Sequence, residues 1–174
     1  MECFNNQIIF LNISNNYDLT YLVCDNNQIT NLDVSNNINL SYLRCYSNQI
    51  TNLNLSNNPA LTELYCGDNM LYNLDLRNGH NNYIDDEYLH CDNNPNLTCI
   101  NVDDAAWSTS NWTSNIDPQH YFDTNCPPSS IQEHTTNKEL LKVTDLLGRE
   151  TKRTNQPLFY IYDDGTVKKR IVIE

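Results

Sequence analysis

The residues "LSYLRCYSNQITNLNLSNNPA" (40–60) and "LTELYCGDNMLYNLDL" (61–76) decide the fold. Laid one under the other, they match in phase. Leu40, Leu43, Cys45, Asn48, Ile50, Leu53 and Leu55 meet Leu61, Leu64, Cys66, Asn69, Leu71, Leu74 and Leu76. The same pattern runs upstream through Leu19, Leu22, Cys24, Asn27, Ile29, Leu32, Val34 and Asn37. It runs once more through Cys3, Asn6, Ile8, Leu11, Ile13 and Asn16. Cys3, Cys24, Cys45 and Cys66 are thus each 21 residues from the last, and Cys91 continues the series after a four-residue insertion.

The steps Leu-x-Cys and Leu-x-Leu have a period of two, which turns alternate residues of a short strand to one side. Stacking such coils pairs their strands in parallel at ~4.8 Å. Inward Leu, Ile and Cys then form one continuous core that no single coil could bury alone. A repeat of this length and pattern is a leucine-rich repeat. The expected fold is mainly β: a right-handed solenoid of stacked coils over residues 1–102, with strands on two sides and little helix. Asn is abundant because each short coil must turn sharply, and Asn tolerates left-handed backbone angles while its amide bonds freed backbone groups. Asn27, Asn48 and Asn69, pointing inward, are expected to stack as a ladder. The arrangement resembles the bacterial 21-residue leucine-rich repeats of internalin-J type, which also carry a cysteine ladder. That likeness covers about residues 3–102.

Cysteines at one phase of successive coils form a line, whereas zinc needs four ligands converging on a point. Parallel Cβ vectors and an odd count of five argue against pairing within the ladder. Cys3, Cys24, Cys45, Cys66 and Cys91 are therefore read as small packing residues. Cys99 and Cys126 fall outside the phase and are expected to form a disulfide that ties down a cap over residues 103–126. Closing that loop contributes ~3 kcal/mol in the chain-entropy model. "DDAAWSTSNW" (103–112) offers an Asp N-cap and a short helix carrying Trp107 and Trp112 over the open end. A disulfide places the protein outside the cytosol.

Charge divides the chain. Residues 1–137 hold Arg44 and Arg77 as their only Lys or Arg, against 16 Asp and Glu, and carry −14. Residues 138–174 hold eight basic and six acidic residues and carry +2. An acidic front half is repelled by phosphate backbones, so nucleic acid is not an expected partner. No apolar run approaches the ~20 residues of a membrane-spanning helix. "MECFNNQ" has no signal-peptide character, and the chain opens in mid-repeat; the expectation is that further repeats and a leader precede residue 1. No G-x-S-x-G, H-E-x-x-H or glycine-rich phosphate loop is present, so neither catalysis nor a cofactor is expected. The histidines are read as solvated. Asp85, Asp86 and Glu87 supply the hard oxygens that Ca²⁺ takes, but not in EF-hand spacing.

Outward positions beside the cysteines are more telling. One column runs Tyr21, Tyr42, Glu63, Tyr88; a second Val23, Arg44, Tyr65, His90; a third Phe4, Asp25, Tyr46, Gly67, Asp92. Aromatics and Arg make binding hot spots. Tyr42, Arg44, Tyr46, Tyr65, Tyr88 and His90 are the candidate ligand face, for an unidentified protein or glycan. The alternative is that these rings merely shield the sheet. The other strand side, with Asn12, Asp33, Asn54 and Asp75 among its residues, reads as a solvated polar face.

Residues 127–137 read as a linker and 138–174 as a small β unit, with Asp164-Gly165 as a hairpin turn. "KVTDLLGRE", "YIYDDGT" and "KKRIVIE" look like the C-terminal sorting domain of the Bacteroidetes type IX secretion system. The resemblance implies export across the outer membrane by the type IX machinery and release or attachment at the cell surface. By resemblance the motif residues are Asp145, Leu147, Gly148, Tyr160, Tyr162, Gly165, Lys168, Lys169 and Arg170. This tail is shorter than the family's usual domain and lacks its Pro-Asn-Pro motif. The combined reading is a secreted or cell-surface binding module; the alternatives are a structural spacer or an accessory region of a larger exported enzyme.

Overall fold

The computed structural model describes residues 1–127, together with the strands at 140–144, 158–162 and 167–170. Four successive coils begin by burying a leucine at the middle or start of a short strand. β1 (Tyr21–Val23), β2 (Tyr42–Arg44), β4 (Glu63–Tyr65) and β6 (Leu89–His90) pair in parallel in that order, aligning Leu22, Leu43, Leu64 and Leu89. Glu2 bridges to Val23 at the open edge of this first sheet. A second parallel sheet runs along the other side of the coils. It consists of β3 (Asn52–Asn54), β5 (Asn73–Asp75), β7 (Cys99–Asn101) and β8 (Tyr121–Asp123). Leu53, Leu74, Ile100 and Phe122 align there. The fold is a leucine-rich-repeat solenoid.

Between the sheets lies one core, built from Leu, Ile and Cys of every coil. Cys24, Cys45, Cys66 and Cys91 are fully buried and all five ladder thiols are free. Each ladder cysteine ties its coil to the next through its backbone. Cys24 N donates to Arg44 O (2.8 Å), Cys45 N to Tyr65 O (2.9 Å) and Cys66 N to His90 O (2.8 Å).

The asparagines close the turns. Asn27, Asn48 and Asn69 are buried, and each side chain joins two coils. Asn48 Oδ1 accepts from Ile29 N (3.0 Å), while its Nδ2 donates to Cys24 O (3.0 Å), Cys45 O (3.1 Å) and Tyr46 O (3.3 Å). Asn94 repeats the arrangement after the insertion. The residue before each ladder asparagine takes the left-handed conformation, with φ of 51° at Asn26, 52° at Ser47, 49° at Asp68 and 56° at Asn93. A second ladder runs along the opposite turn, where Asn37, Asn58 and Asn78 donate to the preceding coil.

The solenoid does not stop at residue 102, because β8 adds a further strand to the second sheet. Between β7 and β8, α1 (Ala105–Asn111) starts on Asp104, whose side chain accepts from Trp107 N (3.0 Å). Trp112, 1% exposed, packs on Phe122 and donates from Nε1 to Ile84 O (2.9 Å). Trp107 lies edge-on to Trp112. Cys99 and Cys126 are joined by a disulfide, with Cα atoms 5.7 Å apart.

The chain divides into two compact units, Met1–Ser129 and Ser130–Glu174. In the second, β9 (Leu140–Thr144), β10 (Leu158–Tyr162) and β11 (Val167–Arg170) form an antiparallel sheet with β10 central. Tyr160 and Tyr162 fall on β10, and Lys168, Lys169 and Arg170 on β11. Asp145, Leu147, Gly148, Gly165 and linker residues 128–137 lie outside the described residues. No helix among the described residues is long and apolar enough to cross a membrane.

Candidate functional site

Since the strands bury Leu22, Leu43, Leu64 and Leu89, their flanking residues face outward on the first sheet. Four of these rings touch in series across four coils. Tyr21 stacks on Tyr42 at 4.4 Å between ring centres, Tyr42 meets Tyr65 at 5.7 Å, and Tyr65 stacks on His90 at 4.8 Å. The series crosses from one column to the next. At the third coil Glu63 occupies the first column, and Tyr65 fills the gap from the second. Tyr65 Oη donates to Glu63 Oε2 (3.3 Å). Burial and the Glu63 carboxylate push the Tyr65 hydroxyl up to about 12.

Arg44 lies over this series, its guanidinium carbon 5.8 Å from the Tyr65 ring centre. It also forms an ion pair with Asp25 through Nε. Asp25 is buried, and its Oδ1 accepts from Tyr46 N (2.9 Å). Burial raises the Asp25 carboxyl above its ordinary value despite Arg44. The sequence columns place Asp25 and Val23 outward, yet both are covered; Val23 is buried without joining the core cluster.

Tyr46 stands apart from the series. Its ring lies over Gly67, where an added Cβ would come within 2.8 Å of Tyr46 Cε2 and 3.0 Å of the Asp92 carbonyl. Gly67 is therefore the space in which Tyr46 lies flat. The Tyr46 hydroxyl is raised, first by its hydrogen bond to Asp68. Tyr88 is also outside the series. The insertion folds as two short 3-10 turns, Asn81–Tyr83 and Asp86–Tyr88, so the first-sheet strand resumes only at Leu89. Sequence columns singled out Tyr42, Tyr65 and His90, which the structure brings together, but omitted Tyr21 from the strip.

The acidic insertion serves the cap. Asp86 Oδ1 accepts from Thr113 N (2.8 Å) and Ser114 N (3.0 Å), which lowers its carboxyl pKa. No three His, Cys, Asp or Glu side chains cluster to hold a metal among the described residues. One histidine departs from the solvated reading: the His120 side chain is fully enclosed. Its Nδ1 accepts from Asp117 N (3.2 Å) and lies 4.0 Å from Cys91 Sγ. On the second-sheet side of the coils, Asn54 and Asp75 of the sheet and Asn12 and Asp33, at the same phase of the coils before it, each accept from the backbone N–H two residues on, at 2.9–3.1 Å. Asn12, Asp33 and Asn54 are exposed, as a solvated polar face requires, and close turns as well; Asp75 alone is buried. A shallow groove of about 240 Å³ there is lined by Asn31, Asp33, Ser35, Asn52, Asn54 and Asn57.

The chain is similar to a solved structure described as the functional domain of InlJ from Listeria monocytogenes, which includes a cysteine ladder. The two are 37% identical; the match covers 59% of this chain and 24% of that one, with a TM-score of 0.48. The chain thus spans about a quarter of that structure's length. No family model matches the chain, and no curated relative does.

Proposed function

We propose that the solenoid is a recognition module that captures a protein or glycan on the first sheet. Tyr21, Tyr42, Tyr65 and His90 form the centre of the face, with Arg44, Tyr46 and Tyr88 at its margins. The observation that carries this reading is the unbroken series of rings. The coils already bury their leucines on the inner side, so the fold does not require four aromatic rings in contact outside. Tyr21 is 39% exposed and the next three residues are half-buried, which leaves ring surface and hydroxyl edges accessible together. Rigid amphipathic rings of this kind bury large area at small entropic cost. The test is capture from arrays of glycans and cell-surface proteins by the full chain and by a Tyr42→Ala/Tyr65→Ala variant. Capture should weaken about tenfold or more in the variant while cooperative unfolding persists. A ligand held equally well by both would remove the strip from consideration.

We also propose that residues 138–174 direct export by the type IX machinery, which gives a secreted or outer-membrane location. Support comes from "KVTDLLGRE", "YIYDDGT" and "KKRIVIE". The test fuses residues 127–174 to a periplasmic reporter in a type IX-competent bacterium. Export of the reporter is expected; its retention in the periplasm would sink the proposal.

A further inference from the structure

We infer that the partner of the aromatic strip is a cationic, arginine- or lysine-bearing peptide segment; the inference rests on the strip being the ligand face. The ring faces are electron-rich, and such faces attract guanidinium and ammonium groups. One guanidinium of the chain, that of Arg44, already occupies the Tyr65 ring in this manner. Carboxylates border the face: Glu63 beside Tyr65, Asp68 and Asp92 beside Tyr46, and Glu87 beside Tyr88. Against them the face carries a single Lys or Arg, Arg44, and Asp25 engages it. The strip is therefore aromatic at its centre and anionic at its border. A cationic segment meets both features, whereas an anionic glycan or a phosphate meets repulsion. A neutral sugar can stack on the rings and donate hydroxyls to the carboxylates, but it gains nothing from the net negative charge of the border.

This assigns Arg44 a role opposite to that of a ligand contact. It competes for the Tyr65 ring and offsets Asp25, so Arg44→Gln should strengthen cation binding.

The experiment titrates the full chain with fluorescent octapeptides of alternating Arg-Ser and Glu-Ser, and with cellohexaose as a neutral glycan probe. The Arg-Ser peptide should bind, and raising salt from about 20 to 300 mM should weaken it about tenfold. Glu63→Gln combined with Asp92→Asn keeps the shapes of both side chains and should cost about fivefold or more, as should Tyr65→Ala. Arg44→Gln should gain about two- to fivefold. Asp33→Asn, exposed and in phase with Asn54 of the second sheet, should change nothing. Three outcomes overturn the inference. Equal weakening by Asp33→Asn would mean that diffuse charge does the binding. Cellohexaose bound through Tyr65, with no Arg-Ser binding, would leave the strip as ligand face but make the partner a neutral sugar. No strip-dependent binding by any probe rejects the cationic partner, and the same result on the arrays rejects the strip itself.

Discussion

A buried asparagine in this molecule acts as a piece of backbone. Asn48 supplies one acceptor and two donor hydrogens to groups that a sharp turn leaves unpaired in two coils. Alanine there would orphan Ile29 N and weaken the carbonyl pairing at Cys24 and Cys45. Each buried group left unpaired costs ~1–3 kcal/mol, so Asn48→Ala should cost about 3 kcal/mol or more. Asn6 bonds only to Cys3 O and Phe4 O in the exposed first coil, and Asn6→Ala should cost under about 1 kcal/mol. Urea denaturation of the two variants measures the difference; equal losses would mean that the ladder is not a shared bonding system. The 21-residue phase made Asn27, Asn48 and Asn69 legible because inward position follows from strand alternation. The ring series was less legible. Columns list side chains strand by strand, and nothing in them shows Tyr65 leaning across to meet Tyr42. Nor do they show Asp25 turned under Arg44, since that burial depends on the Tyr46 amide one coil further on.

At the scale of elements, the cap is held by a carboxylate and an imidazole. Asp117 accepts from Asn93 N and Asn94 N, both at 2.9 Å, and locks the Cys91 coil to the turn that follows α1. His120 closes the same turn, and burial lowers its pKa below the ordinary 6.5 even though Asp117 opposes the shift. Between the folded pKa and 6.5 the unfolded chain therefore binds a proton that the folded chain refuses. The His120 contribution is fully present above about pH 6.5 and is lost as pH falls toward the folded value. The lowered Asp117 carboxyl adds a second loss below its ordinary 3.8. Urea midpoints at about pH 7.5 and 5.5 should fall together with pH in the parent and stay closer in His120→Gln. Asp25, raised by burial, works in the opposite sense at carboxylate pH, so the variant comparison isolates the histidine. An unchanged pH slope in the variant would count against this account. The helix was readable from Asp104 and the two tryptophans, but the end of the solenoid was not. β8 carries Phe122 in a segment with no Leu-x-Leu step, so nothing in the repeat announces it. Tyr88 keeps its column position after Glu63, since Leu64 pairs with Leu89, but the insertion makes it the end of a 3-10 turn instead of a strand residue.

Across the whole molecule, the order of coils along the chain is their order in space, so each coil bonds chiefly to the one before and the one after. Most of the fold was legible for this reason: one coil, once solved, is solved several times over. The same property governs how the solenoid yields to force. Pulled from its two ends, it has no long-range contact that must break at once, and each coil can peel from its neighbour in turn. Each 21-residue coil released should add about 70 Å of extended chain. The exception is the stretch closed by Cys99 and Cys126, whose 27-residue span the disulfide withholds from extension. Single-molecule stretching should therefore show a staircase of similar steps, with length added at the cap end only after reduction. A single rip spanning all coils would show that they fail together. Stepwise peeling would make the domain a tether that lengthens under load while its remaining coils, and the rings they carry, stay assembled.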